Sequence, residues 1–490
     1  MFADGWKKVP LHIFEFEGDR IALDVNRGRP YLIGSTDQAV LSMAEPIRET
    51  EAIFRLKEQF SPEAIRASII NLAKRQLLYL PDQPLPPIPV PRDYPEINAI
   101  ELNISEDCNL RCVYCCVGQG GFGADRGNGR HRNLMTWEIA RQSIDMLFDE
   151  SPSATEVHIR FFGGEPLLNW PVIVQSVHYA EKQADRAEKK VGFSIVINGT
   201  LLNENIIQFL HEHHFWVQIS IDGTPEMHDA CRLDAQGEGS YRRAVAFVPD
   251  LLHKLGPENV HARGTITHHV PDMLKAFNHL QELGFRAPEL RPVTGHNQVF
   301  GLTIQDYHHF NQAADQLAKM ALKCDPAQIK HYLSLFWTYI TPLMGQSTRR
   351  PPCGAGRNMV GISVDGSILP CTDMVGKQHA SLQLGDVYSG LRQDKKKEFL
   401  EIVEVENKIG CRNCWARYLC GGACASVELG NEGGLDRSAG LECIWIRHVV
   451  ELSVWLYLKL LAERPAFFYD TFINEHSGEA NPLVEALSIG

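Results

Sequence analysis

From residue 97 onward, short apolar runs alternate with segments whose apolar residues recur every three to four positions, the pattern of parallel strands joined by covering helices. Six runs read as strands, over 97–104, 157–162, 193–198, 215–222, 260–267 and 288–293. Helical patterns follow most of them, with cap residues at Thr136, Asn203 and Ser240. Six such units predict an α/β fold built on a partial (β/α)6 barrel, whose chemistry should gather at the carboxyl ends of the strands.

The chain before the barrel has a different rhythm. Residues 11–17 and 21–33 read as strands joined at Gly18-Asp19, with further turn chemistry at Asn26-Arg27-Gly28. Ser35 with Gln38 fits a capping box, and Ser61-Pro62-Glu63 starts a helix that sets Ile65, Ile69 and Leu72 on one face. This order predicts a small winged-helix-like domain over residues 1–80. Residues 81–95 carry seven prolines in fifteen positions, which suits an extended linker and neither a helix nor an interior strand. The barrel then occupies 96–340. After it the strand-helix rhythm fades, and seven of the thirteen cysteines fall between 353 and 443 among glycines and turns, predicting a metal-organised module over 341–450. Residues 444–461 read as a helix with Trp445, Val449, Leu452 and Leu456 near one stripe, leading into a C-terminal helix and tail over 451–490.

Composition narrows the function. No apolar run reaches the roughly 18 to 20 residues of a membrane-spanning helix, and 44% hydrophobic with 22% charged residues suits a packed chain. Sixty acidic against 48 basic residues, a formal charge of -12, argue against general affinity for nucleic-acid phosphates. Residues 45–80 hold six Lys and Arg against five Glu, too balanced for a phosphate-binding stripe on a winged helix. The opening MFADGWKKVP lacks the apolar stretch and cleavage site of an export signal, so a cytoplasmic, reducing location is expected. There, clustered thiols bind metals or do redox chemistry more often than they form disulfides.

The first strand ends in Cys108-Asn-Leu-Arg-Cys112-Val-Tyr-Cys115. Three thiolates suit an iron-sulfur cluster with one iron left open, whereas structural zinc wants four ligands and Cys116 is awkwardly adjacent to Cys115. Strand two is followed by Phe161-Phe162-Gly163-Gly164-Glu165-Pro166 and strand four by Ser220-Ile221-Asp222-Gly223. On these motifs residues 97–295 resemble the radical S-adenosylmethionine (SAM) superfamily. The resemblance implies that Cys108, Cys112 and Cys115 hold a [4Fe-4S] cluster whose open iron binds SAM. It further implies that Tyr114 lies against the adenine, that Gly163, Gly164 and Glu165 meet the methionine amine, and that Ser220 and Arg232 make further contacts to SAM. Asn198 and Asp222 are weaker candidates for such contacts.

The later cysteines run Cys353, then Cys371 five residues after Gly366, then Cys411-x2-Cys414-x5-Cys420-x3-Cys424, then Cys443. Taken alone, a CxxC with two further cysteines also describes a zinc knuckle. The spacing resembles the SPASM domain. That resemblance implies one auxiliary [4Fe-4S] cluster on Cys411, Cys414, Cys420 and Cys443 and another on Cys353, Cys371 and Cys424, three clusters in all. The second lacks a fourth protein ligand, to be supplied by a substrate thiolate or by Cys231 or Cys324.

Residues 8–80 resemble the peptide-recognition domain that precedes many enzymes modifying ribosomally made peptides, which implies a leader peptide captured on a sheet edge far from the clusters. Together with GGFGADRG, FFGGEPLLNW, SIDGTPEMHDACR and ARGTITHH, this order resembles the thioether-forming maturases of cysteine-rich peptides and of quinohemoprotein amine dehydrogenase. The implied activity is hydrogen abstraction by a 5'-deoxyadenosyl radical and a Cys sulfur-to-carbon crosslink in a peptide or protein, with flavodoxin or ferredoxin as electron donor. Alternatives are carbon-carbon crosslinking, sulfatase-maturase-like oxidation of Ser or Cys, and a noncatalytic peptide-binding scaffold. His268 and His269, after strand five, are candidates to line the cavity.

Overall fold

The computed structural model describes residues 5–83, 95–115, 118, 133–294, 301–345, 348–376, 381–430, 434–435 and 440–469. Most of the proline-rich linker, Cys116, the GGFGADRG segment and the end of the chain lie outside the described residues.

Alternating apolar residues in the first third form two small antiparallel sheets. Strand β1 (Lys7–Lys8) pairs with β5 (Leu78–Tyr79), while β2 (Leu11–Phe16), β3 (Asp19–Asp24) and β4 (Arg29–Leu32) form a meander. Helices Ser35–Leu41, Glu49–Leu56 and Pro62–Lys74 pack on them around Ala22, Val40, Ile47, Ile65 and Leu72. Ser61 caps the third helix as its sequence suggests, accepting a hydrogen bond from the Ala64 N–H at 3.2 Å. The first helix starts differently from expectation: Gly34 is its cap residue, and the Asp37 carboxylate accepts the Gly34 N–H at 3.1 Å. Ser35 already lies inside the helix, and the shorter, charged Asp37 does the work assigned to Gln38.

Six parallel strands follow: β6 (Ala99–Ser105), β7 (Glu156–Gly163), β8 (Lys190–Ile197), β9 (Trp216–Ser220), β10 (Val260–Ile266) and β11 (Glu289–Pro292). They neighbour one another in chain order, the arrangement expected of a partial barrel. Ile100, Leu102 and Ile104 are fully buried in the helix-covered core, so by strand alternation Glu101, Asn103 and Ser105 face the barrel interior. Thr136 and Asn203 cap their helices through 3.3 and 3.1 Å bonds. Ser240 makes no cap bond. Its hydroxyl donates to the Arg232 carbonyl at 2.6 Å and meets His228 Nε2 at 3.0 Å, and the helix after it is broken into Tyr241–Ala244 and Val248–Leu255.

The sheet does not stop at β6. Strand β12 (Met359–Ile362) pairs with it in parallel, Met359 opposite Ala99 and Ile362 opposite Leu102. Antiparallel β13 (Ser367–Leu369), β14 (Gly385–Asp386) and β15 (Gly390–Leu391) extend the same sheet. The cysteine-rich region is thereby hydrogen-bonded to the barrel.

The helix Glu442–Glu463 lies against helices Ile304–Lys323 and Trp337–Met344 and also against β2 and β4. Trp455 meets the Phe16 ring edge-on at 4.8 Å and donates its indole N–H to Asp19 at 2.9 Å. No helix among the described residues is long and apolar enough to cross a membrane.

Candidate functional site

The segment after β6 carries Cys108, Cys112 and Cys115, and backbone bonds fix its course. Arg111 N–H donates to the Leu233 carbonyl at 2.6 Å and Val113 N–H to that of Cys231 at 2.9 Å, tying the thiols to the chain beyond β9. Cys108 lies within electrostatic reach of Cys112 and Cys115, and Cys112 of Cys115. Burial pushes the Cys108 thiol up to about 12, aided by the Glu165 charge, and that of Cys112 up to about 11, opposed by Arg232. Such thiols become thiolates when a bound cation supplies compensating charge.

The two glycines at the end of β7 make a close crossing. Gly163 has φ +140°, and a Cβ there would lie 2.2 Å from the Ser105 carbonyl oxygen and 2.6 Å from Asn103 Oδ1. A Cβ on Gly164 would lie 2.4 Å from the Asp107 carbonyl oxygen and 3.1 Å from Cys108 Cβ. The sequence reading placed these glycines, and Glu165, against a methionine amine; the structure shows them packed first on the cysteine segment. The Glu165 carboxylate is fully buried, accepts the Leu167 and Asn198 N–H groups at 3.1 and 2.8 Å, and is pushed up by burial to about 7. Asn198 in turn donates to Asn109 Oδ1 at 2.8 Å, inside the CxxxCxxC segment.

Tyr114 and Arg232, expected to contact SAM, meet at Asp222. Tyr114 donates its hydroxyl to Asp222 Oδ2 at 2.6 Å, and Arg232 Nε donates to the same oxygen at 3.0 Å with its guanidinium 5.4 Å from the centre of the Tyr114 ring. Thr265 N–H donates to Asp222 Oδ1 at 2.8 Å. Asp222 is thus the hub, a role a lone Asp after a strand does not announce. Ser220 is half-buried at the end of β9, opposite Arg263 of β10. Asn103 was not singled out from sequence; it is fully buried and both its side-chain amide atoms lack a hydrogen-bond partner. A polar residue at the end of the first strand was the available signal. His268 is half-exposed and bonded to Asp306 at 2.8 Å, where it supports a helix start.

The later cysteines fall into two sets of electrostatic neighbours. Cys353, Cys371 and Cys424 are electrostatic neighbours, and both Cys353 and Cys371 sense the charge of Glu101 inside the barrel. Thr372 anchors that carboxylate through its N–H and hydroxyl at 3.2 and 2.9 Å. Cys420 senses Cys411 and Cys414, and Cys443 senses Cys420 and Cys411. Burial pushes Cys420 up to about 11 and Cys443 to about 12. Cys353 and Cys424 keep accessible surface, and desolvation raises the Cys353 thiol. Cys231 sits elsewhere, 3.6 Å from the Thr267 hydroxyl, and Cys324 donates to the Ala321 carbonyl at 3.4 Å at a helix end.

The small N-terminal sheet reaches this region. The His12 ring stacks on Trp415, next to Cys414, at 3.6 Å with planes 4° apart, and Arg417 donates to Asn26 at 2.6 Å. The N-terminal region therefore does not stand far from the cysteines as the sequence suggested; partly buried aromatic and polar partners on both sides, unrelated in sequence, join them.

A tetrahedral zinc with Zn–S bonds of about 2.3 Å needs sulfurs roughly 3.8 Å apart. Among the described residues no three thiols come within 4.8 Å of one another; the trio of possible donors that does is His178, Glu181 and His213, on the helices outside the barrel. The donor chemistry of the first set, three thiols without a fourth, suits an iron-sulfur cluster with one iron open better than a four-ligand zinc site.

Residues 102–314 match the family model of the radical SAM superfamily. A cysteine-type anaerobic sulfatase-maturating enzyme of Clostridium novyi (strain NT) is 27% identical over 336 residues, covering 65% of this chain and 85% of that protein. The radical SAM cyclopropyl synthase TigE of Paramaledivibacter caminithermalis is 34% identical over 156 residues, 31% of this chain and 32% of that protein. A solved structure, native anSMEcpe with bound AdoMet, shares the fold at a TM-score of 0.61 and 18% identity, over 74% of this chain and 99% of that one. The strand-end thiols, the glycine crossing and these likenesses point the same way: residues 102–314 are similar to the radical SAM superfamily, and the chain is similar over most of its length to an anaerobic sulfatase-maturating enzyme.

Proposed function

We propose that this chain modifies a ribosomally made peptide or protein by forming a thioether between a Cys sulfur and an unactivated carbon. The observation that carries the reading is the three-thiol set of Cys353, Cys371 and Cys424, electrostatic neighbours of one another and, for Cys353 and Cys371, of Glu101, while Cys231 and Cys324 are bonded elsewhere. A cluster held there keeps one position for a substrate thiolate. Cys108, Cys112 and Cys115 would hold the radical-generating cluster and Cys411, Cys414, Cys420 and Cys443 the second auxiliary one. Tyr114, Gly163, Gly164, Glu165, Ser220 and Arg232 would hold SAM.

When bound, these groups supply a 5'-deoxyadenosyl radical able to take hydrogen from a substrate carbon. The chain's own part is positioning and shielding. Asp222 fixes the Tyr114 ring and the Arg232 guanidinium relative to each other. Gly163 and Gly164 let the SAM-facing turn approach the thiol segment. In the overall change, SAM and one electron from a flavodoxin- or ferredoxin-like donor would give methionine and, with the hydrogen taken from the substrate carbon, 5'-deoxyadenosine, while one C–H and one S–H bond would give way to one C–S bond, with a proton to solvent and one electron returned through the iron-sulfur centres. The small β2–β4 sheet would receive a leader peptide.

Oxidation of a Ser or Cys side chain is the second reading, favoured by the sulfatase-maturase homologues. Anaerobic reconstitution with short peptides encoded beside the gene, followed by mass spectrometry, separates them. A thioether removes two hydrogens and one alkylatable thiol; oxidation leaves an aldehyde that reacts with a hydrazide. A hydrazide-reactive product would overturn the thioether assignment.

A further inference from the structure

We infer that Arg349 is the charged link between the two auxiliary cysteine sets, one fixed cation acting on both. The inference rests on the reading that each set holds an iron-sulfur cluster.

The geometry is that of a bridge. Arg349 Nη2 donates to the carbonyl of Pro352, the residue before Cys353, and Nη1 donates to the carbonyl of Leu419, the residue before Cys420, at 3.4 Å. Its backbone N–H donates to the Tyr418 carbonyl at 2.8 Å. One guanidinium therefore holds the main chain entering the three-thiol set and the main chain entering the four-thiol set. Gly421 permits the approach: it has φ +79°, and a Cβ there would lie 2.9 Å from Pro352 Cα and 3.1 Å from Arg349 Cβ. Tyr339 supports the guanidinium from the barrel side, its ring centre 5.8 Å away.

The neighbouring cations differ. Arg350 is bound by Glu406 at 2.6 Å and Glu404 at 3.5 Å. Fully buried Lys408 is paired with Glu428 at 2.8 Å. Arg447 acts on Cys411, Cys414 and Cys443, all of one set. The hydrogen bonds of Arg349 named above go to carbonyls, which carry no net charge.

A positive charge stabilises the reduced form of a nearby cluster and so raises its reduction potential. Placed between two clusters, it raises both together, which eases the delivery of an electron to either. Arginine does not deprotonate in proteins, so the effect holds across the working pH range.

The test uses the reconstituted holoenzyme as wild type, Arg349→Gln and Arg349→Lys, with iron content and an EPR-monitored redox titration of each. The expected result is that Gln shifts both auxiliary midpoints to more negative values while Lys stays near wild type. Loss of auxiliary iron in Gln alone, with Lys retaining iron and midpoints, also supports the role of the charge. Unmoved midpoints in a fully loaded Gln variant, movement of one midpoint only, or equal iron loss in both variants would overturn the inference. A wild type without two auxiliary signals would instead overturn the cluster reading on which it stands.

Discussion

Asp222 organises more of the candidate site than any cysteine does, taking bonds from Tyr114, Arg232 and Thr265 while its own N–H meets His228 Nδ1 at 3.4 Å. His228 is fully buried, and burial pushes it down to about 4 from 6.5. In the unfolded chain it takes a proton near pH 6.5, before the folded form does. Stability is therefore intact above pH 6.5 and falls as pH drops toward 4, by on the order of 3 kcal/mol for this group. His228→Gln should flatten that part of the profile, measured as the difference in thermal midpoint between pH 7.5 and 5 for variant and wild type; equal slopes would refute it. At the same scale, Cys112→Ala should abolish 5'-deoxyadenosine formation, read by chromatography of the anaerobic reaction. Full SAM cleavage by that variant would remove the cluster assignment. The thiols were legible from spacing because clusters impose one, and Asp222 stood out only as a weaker candidate for SAM contacts; its place as a hub, and Asn103 altogether, were not legible, since a strand-end polar residue acquires its role only from the strands beside it.

The six parallel strands were legible as elements because apolar runs flanked by caps leave few other solutions. Their ends moved by a few residues, and Ser240 failed as a cap because its hydroxyl is drawn to the Arg232 carbonyl. The β12 strand was illegible: four residues, MVGI, between turns give no periodicity, and the partner that stabilises them is remote. The crossing of β7's end over the cysteine segment gives a sharp prediction. Gly163→Ala should cost on the order of 3 kcal/mol through strain and overlap together, and it should lower the iron bound per chain after reconstitution. An Ala variant with wild-type iron and thermal midpoint would show that the crossing relaxes freely.

For the whole molecule, a peptide-recognition domain over residues 1–80 implies that its deletion mainly impairs peptide capture. The docked sheet predicts more. Deletion would uncover Trp455 and Trp415, now covered by Phe16 and His12. The truncated chain should show a lower thermal midpoint and red-shifted tryptophan emission, while His12→Ala should keep the fold and perturb only the Trp415 environment. Unchanged emission on deletion would mean that the sheet rests on the helix without being held there. Inter-region contacts of this kind escape sequence reading because each surface is locally unremarkable in pattern and becomes apolar only when paired.

The pairing of β6 with β12 also bears on how the protein is made. Asn98 and Asn358, 260 residues apart, hydrogen-bond where these strands begin. During synthesis the first barrel strand therefore waits, one flank open, until the cysteine-rich region has left the ribosome. An open flank of this length invites association with other nascent chains, so productive expression should depend on how quickly the later region emerges. Delivery of iron to Cys108, Cys112 and Cys115 would then be completed only in a nearly full-length chain.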